Sequence, residues 1–178
     1  MQTSSSMPLL SVIIPAAGVG SRMNAAVPKQ YLPILGQPII AVTLEKFLAL
    51  DFVHAVIVAI SPKDNMFRTL SIANHPKIHI VIGGDERADS VLQGLRKAQQ
   101  LETEWVMVHD AARPCVTAAD INSLYEVAIK NQQPAILGHP VRDTMKRLSK
   151  TNGTISKTVD RNGLWHAYTP QCSPTEIL

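Results

Sequence analysis

Arg22 and Lys29 stand just past the turn Gly18-Val19-Gly20, which itself follows the apolar run Leu10 to Ile14. Two glycines after a strand let the backbone approach a ligand without a Cβ clash and turn a row of N–H groups toward phosphate oxygens. Lys29 follows Pro28, so a fixed backbone aims its ammonium at the mouth where the Arg22 guanidinium can grip the same oxygens. A pair of cations there suits a polyphosphate whose negative charge grows in a transition state. The competing reading is an ordinary strand-to-helix turn beside two solvated cations. Met23 stands where the dinucleotide fingerprint has its third glycine, and no Gly-Lys-Ser/Thr follows, so neither that fingerprint nor a P-loop is assigned.

Two more stretches could carry chemistry. "GGDERADSV", Gly83 to Val91, ends a strand with two glycines and starts a helix. Backbone exposed there could read the edge of a flat base, with the Ser90 hydroxyl as a partner; a helix start dressed with Asp85 and Glu86 is the alternative. "VMVHDAARP", Val106 to Pro114, puts Asp110 just past an apolar strand, with Arg113 in the same loop. A carboxylate in that place beside phosphates is the usual way to hold Mg²⁺, which takes only one or two protein carboxylates; a loop cap is the alternative. His109 reads as packed rather than catalytic. In "PVRDTMKR" and "TVDRNGLWHAYTPQ", Thr144 and Arg161 could bind a second, phosphorylated substrate, although Arg142, Lys146 and Arg147 are equally cationic. Trp165 reads as core or interface.

These residues need a scaffold, and the apolar pattern supplies one. Strands are expected at Leu10 to Ile14, Val53 to Ile60, Ile78 to Ile82, Trp105 to Val108 and Ala135 to Leu137. Helices are expected from Arg87 to Leu101, with Asp85 and Glu86 favouring the positive end, and from Ala118 to Lys130 behind a capping box of Thr117 and Asp120. Strands alternating with helices predict the α/β class: a Rossmann-like, mostly parallel sheet with helices on both faces and ligands at the carboxyl ends of the strands. From Arg142 to Val159 the pattern becomes short alternating segments around Asn152-Gly153, which predicts a protruding β-hairpin arm with a type I′ turn. Such an arm exposes edges that a second copy could cover, so a homodimer is expected. Ser173, Pro174 and Glu176 read as the N-cap, first-turn proline and capping acid of a helix that stops at Leu178, and on that ground a piece of a longer protein is expected.

The whole chain sets the limits. Its 178 residues, 46% of them apolar, suit a single domain over 1–178, with 142–163 as the arm. A net charge of +3 and 4% aromatics, without a lysine/arginine block, argue against an extended nucleic-acid face. Cys115 and Cys172 lack metal-ligand spacing and read as reduced thiols of a cytoplasmic protein. No stretch has the roughly 20 apolar residues that span a bilayer.

Taken in order, "PAAGVGSRM", "PKQYL", "ISPKD", "GGDERADSV", "VHDAARP", "PVRDTMKR" and "TVDRNGLWHAYTPQ" closely resemble the 2-C-methyl-D-erythritol 4-phosphate cytidylyltransferases of the non-mevalonate isoprenoid pathway, from Ser11 to Leu178. The resemblance implies transfer of CMP from CTP to methylerythritol phosphate, with Mg²⁺. It implies that Gly18 and Gly20 wrap the triphosphate, that Arg22 and Lys29 stabilise the α-phosphorus under attack, and that Ala16, Ala17, Gly84, Asp85 and Ser90 surround the cytidine. It further implies that Asp110 contacts the metal and, with Arg113, Thr144 and Arg161, the methylerythritol phosphate, part of that site coming from a partner's arm. The family's later "IKVT" lysine has no match here. Ribitol 5-phosphate cytidylyltransferases resemble the same loop but differ around the arm; a non-catalytic CTP-binding or dimerisation fragment is the reading from another class. An NAD-binding domain is disfavoured by Met23 and by Ser61-Pro62 where an acidic residue should close the second strand.

Overall fold

The computed structural model describes residues 8–18 and 27–177. Gly20 and Arg22 lie outside the described residues. In chain order the strands are β1 (Leu10–Ala16), β2 (Pro33–Ile34), β3 (Gln37–Pro38), β4 (Val53–Ile60), β5 (Ile78–Ile82), β6 (Trp105–Val108), β7 (Ala135–Pro140), β8 (Met145–Leu148), β9 (Ile155–Val159) and β10 (Trp165–Pro174). The α-helices are α1 (Ile39–Leu48), α2 (Arg87–Gln100) and α3 (Ala118–Asn131).

The six-stranded sheet has the order β5-β4-β1-β6-β10-β7. β5, β4, β1 and β6 run parallel, and β10 lies antiparallel between β6 and β7. The near-continuous apolar runs of β1, β4 and β6 are what a parallel strand covered on both faces requires. Alternate residues of β1 divide between the faces: Leu10, Val12 and Ile14 join Leu44 and Phe47 of α1 and Ile121, Leu124 and Tyr125 of α3. Ile13 instead joins Ile57, Val106 and Val108 against Leu95 and Ala98 of α2. Helices therefore cover both faces, as the alternating pattern predicts.

The caps refine the sequence reading. α2 is capped by Glu86, whose side chain and that of Asp89 form the two halves of a capping box. In α3 the Thr117 hydroxyl accepts from the Asp120 N–H at 3.1 Å. The Asp120 carboxylate returns to that same hydroxyl rather than to a backbone N–H.

Three expectations are corrected. The arm is a two-stranded antiparallel sheet, β8 with β9, but its turn is not type I′. Among the turn residues only Gly153 has positive φ, whereas a type I′ turn needs it at both central positions. The Ser149 N–H donates to the Thr154 carbonyl at 2.7 Å, so a longer loop closes there. Ser173 and Pro174 start no helix: they end β10, paired with Val106 and Trp105 of β6, where the proline falls at a strand terminus. Trp165 is not core; on β10 beside β7 it is 63% exposed.

Candidate active site

Register sets the site. Ala16 of β1 pairs with Ile60 of β4, and Ile60 with Ile82 of β5, so the three strands end level. β6 stops three residues earlier in the register, Val108 opposite Ile13 where β1 runs on to Ala16, and the His109 N–H donates to the Ile13 carbonyl at 3.0 Å. The segment after β6 thus runs beside the end of β1. The chain leaves β1 toward β4 and β5 on one side and returns to β6 on the other. That reversal is where open α/β sheets bind ligands.

On the first side, Ala17, Gly83 and Ser90 are in contact. A Cβ on Gly83 would lie 2.6 Å from Ser90 Oγ and 2.7 Å from Ala17 Cβ. A Cβ on Gly84 would lie 2.2 Å from Asp89 Cβ. Both glycines are therefore demanded by the close approach of α2 to the strand ends, which is the helix-start reading of this stretch. The Ser90 side chain is buried and Asp85 is exposed. Gly18 is exposed, with open space beside it.

Lys29, also exposed, sits in a single 3₁₀ turn, Lys29–Tyr31, after Pro28. The next residue was not singled out by its type. Gln30 is buried, and its amide donates to the carbonyls of Ala16 at 2.9 Å and Gly18 at 3.3 Å. It thereby ties the Lys29 turn to the end of β1. A polar residue between Lys29 and Tyr31 gives no hint of such a clamp in one dimension.

On the second side, Asp110 gathers two arginines. Arg87 Nε and Nη2 approach Oδ1 at 3.0 and 2.9 Å, and Arg113 Nε donates to Oδ2 at 2.9 Å. Burial works against ionisation of this carboxyl, but the hydrogen bonds and charge of Arg87, then of Arg113, outweigh it and hold its pKa below the usual carboxylate value. Arg87 is the second residue that local reading missed, because it was weighed only as part of a helix start.

His109 is fully buried and tilts against Phe47, with ring centroids 5.1 Å apart. Its Nε2 lies 3.0 Å from the Arg113 carbonyl, so Nε2 carries the proton and donates. Burial lowers its pKa against the Arg113 carbonyl bond and the Asp110 charge, leaving a neutral ring. Its Nδ1 has no hydrogen-bond partner among the described residues. The packed reading of His109 stands: it fixes the Asp110–Arg113 loop from beneath. Beside it opens a cleft of about 410 Å³, lined by His109, Arg113, Cys115, Leu137, Tyr168 and Thr169 among others.

Thr144 and Arg161 are not drawn into this cluster. Both are exposed on the arm, and Arg161 donates to the Arg142 carbonyl. Among the described residues no group of three or more His, Cys, Asp or Glu side chains could hold a metal. Asp110 is the residue the sequence puts forward for that role. An ionised carboxylate accepts at about four lone-pair sites, and the arginines use three of them, so Asp110 suits a cation only as a single ligand among phosphates and water.

Residues 10–178 match the family described as IspD, 2-C-methyl-D-erythritol 4-phosphate cytidylyltransferase. The enzyme of that name from Shewanella oneidensis is 54% identical over 93% of this chain and 66% of its own length. The one from Escherichia coli O139:H28 is 51% identical over 93% of the chain and 70% of its own. The chain thus spans about two thirds of the length of these relatives. The crystal structure of the Francisella tularensis enzyme superposes with a TM-score of 0.79 at 36% identity, over 94% of this chain and 73% of that one.

Proposed function

Because this chain belongs to the 2-C-methyl-D-erythritol 4-phosphate cytidylyltransferase family, we propose that it transfers the cytidylyl group of CTP to 2-C-methyl-D-erythritol 4-phosphate. The products are 4-diphosphocytidyl-2-C-methyl-D-erythritol and pyrophosphate. The observation that carries this reading is the Arg87–Asp110 ion pair. It joins the residue that opens α2, after β5, to the residue that follows β6, on opposite sides of β1 in the sheet. A nucleotide lying over the end of β1 would meet main-chain groups and Ser90 on one hand and charge on the other.

In this reading the cytosine lies along Ala16, Ala17, Gly84, Asp85 and Ser90, and the triphosphate lies over Gly18 toward Lys29, with Gly20 and Arg22 continuing that loop. The methylerythritol phosphate oxygen attacks the α-phosphorus in line, and pyrophosphate departs from the opposite side. Such a transfer asks the protein for positioning and charge neutralisation rather than a covalent intermediate. Lys29 supplies charge where the pentacoordinate phosphorus gains it. Arg113 would meet the incoming phosphate, and Asp110 holds both arginines together past the end of β6.

Magnesium, held by Asp110 through its remaining lone pair, would neutralise phosphate charge. Thr144 and Arg161 lie on the arm and would serve the site of a second copy. The exposed Leu148, Ile155 and Trp165 support a homodimer formed there. Among the described residues no helix is long and apolar enough to cross a membrane, and both cysteines are free, which supports a cytoplasmic enzyme.

The test is the product. Incubated with CTP, Mg²⁺ and either methylerythritol 4-phosphate or ribitol 5-phosphate, the protein should yield by mass spectrometry only the diphosphocytidyl derivative of the first. A preference for ribitol 5-phosphate would refute the assignment.

A further inference from the structure

Lys29 is exposed on a turn of three residues, which has no stability of its own, since so short a 3₁₀ segment closes too few hydrogen bonds to offset its ordering. Among the described residues two backbone bonds belong to it, Tyr31 N–H to Pro28 at 2.9 Å and Leu32 N–H to Lys29 at 3.2 Å, and no side chain caps it. What fixes it must come from its neighbours, and both are buried: Gln30 and Tyr31.

The Gln30 amide grips the end of β1, as described above. The Tyr31 hydroxyl donates to Oδ2 of Asp64, in the segment that follows β4. Asp64 is itself anchored. Its Oδ1 accepts the N–H groups of Met66 at 2.9 Å and Phe67 at 2.8 Å, and the Phe67 side chain is wholly within the core. A rigid path therefore runs from the core through Phe67 and Asp64 to the Tyr31 hydroxyl and the backbone of Lys29. Burial, then the hydrogen bond to Asp64, then its charge push the Tyr31 phenol far above its ordinary acidity range, so it stays a donor at any working pH.

We propose that Tyr31 and Asp64 are positioning residues for Lys29, their hydrogen bond holding the turn that presents its ammonium to the nucleotide phosphates. The inference rests on the reading of Lys29 given under the proposed function. It assigns a purpose to the aspartate of "ISPKD", which no part of the nucleotide site uses. A charge that acts on a transition state must be held in place, and a shift of about 1 Å at such a group can cost up to about 100-fold.

Tyr31→Phe is the incisive variant, because the ring keeps its packing and only the hydroxyl goes. A double-mutant cycle with Lys29→Ala, read in single-turnover and steady-state rates of pyrophosphate release from CTP, separates the possibilities. The expected result is a fall of about 10-fold or more in kcat for Tyr31→Phe, with KM for CTP changed by less than about twofold, and no further fall when the substitution is added to Lys29→Ala. Equal losses in both backgrounds, a raised KM with kcat intact, or wild-type rates in Tyr31→Phe would each overturn the proposal. Full activity in Lys29→Ala alone would instead reject the role of Lys29 itself, and the positioning proposal with it. Should Tyr31→Phe not fold, Asp64→Asn serves in the same cycle: its amide oxygen can keep the bonds to Met66 and Phe67 while its NH2 leaves Tyr31 only a weaker, neutral bond of reversed direction, so kcat should again fall with no further fall beside Lys29→Ala, and a wild-type kcat would overturn the proposal.

Discussion

One carboxylate, Asp110, holds two guanidinium groups in different ways: Arg87 through Nε and Nη2 to a single oxygen, Arg113 through Nε to the other. Both arginines are more than half exposed. In that much water the ion pairs add little to stability, less than about 1 kcal/mol each. In the proposed function their worth lies in where they hold charge. Arg87→Ala is therefore expected to lower the unfolding free energy from urea denaturation by less than about 1 kcal/mol while lowering kcat/KM by about 10-fold or more, through loss of one preorganised donor. Arg87→Lys should not restore the rate, since a single ammonium cannot reproduce the forked contact. A large loss of stability with unchanged turnover would contradict this. Asp110 was legible in the sequence because a carboxylate just past an apolar strand is a recognisable position. Arg87 was not, because its partner lies in a different crossover and only the folded sheet brings them together.

Among the elements, what the apolar pattern could see was β4, β5 and β6, whose runs are bounded by turn residues; β6 is buried throughout, β4 at every residue but His54, and β5, at the sheet edge, is half-buried. It passed over α1, which follows Pro38 and opens on two isoleucines, a composition that suits a strand as well as a helix. It also passed over β10, whose prolines, Pro170 and Pro174, argue locally against a strand, although pairing on both sides overrides them. The packing of these elements is testable. Gly94 lies in α2 against β1, and a Cβ there would stand 2.4 Å from Ile13 Cγ2. Alanine improves helix propensity by about 1 kcal/mol, but forcing helix and sheet apart costs about 1 to 3 kcal/mol. Gly94→Ala should thus leave stability unchanged or lower it by up to about 2 kcal/mol; a gain of 1 kcal/mol would mean that the two elements do not touch there.

β10 carries a second element-scale expectation through Cys172, which is buried and whose thiol is pushed up from 9.0 to about 12 by desolvation, against a hydrogen bond from Ser173. The folded form keeps its proton where the unfolded chain has lost it. Stability from this group is complete below pH 9 and declines as pH rises toward 12. Between pH 8 and pH 10 the wild type should lose about 1 kcal/mol more than Cys172→Ala in chemical denaturation. Equal losses would place the thiol in water.

At the scale of the whole molecule, the arm is the feature that the rest of the fold does not explain. Every residue of β8 is exposed, β9 is nearly so, and Leu148, Ile155 and Trp165 present apolar side chains to water. A two-stranded ribbon standing alone is marginal. Its hydrophobic surface is accounted for if a second copy covers it. Leu148→Lys with Ile155→Lys should convert a dimer into a monomer in sedimentation velocity; a wild type that sediments as a monomer at micromolar concentration would remove the basis for a shared site. The sequence announced the arm through its change of period and through Gly153, but a single chain could not say what lies against it.

In the proposed function the carboxyl ends of β1, β5 and β6 form one cytidylyl-transfer site in which Lys29 supplies charge to the transition state. The most direct measurement is pyrophosphate release from CTP, dependent on methylerythritol 4-phosphate and Mg²⁺, by the wild type and Lys29→Ala. The expected result is substrate-dependent release that falls by about 100-fold or more in kcat for the variant while CTP still binds. Release that is independent of methylerythritol phosphate, or equal in the two proteins, would contradict it.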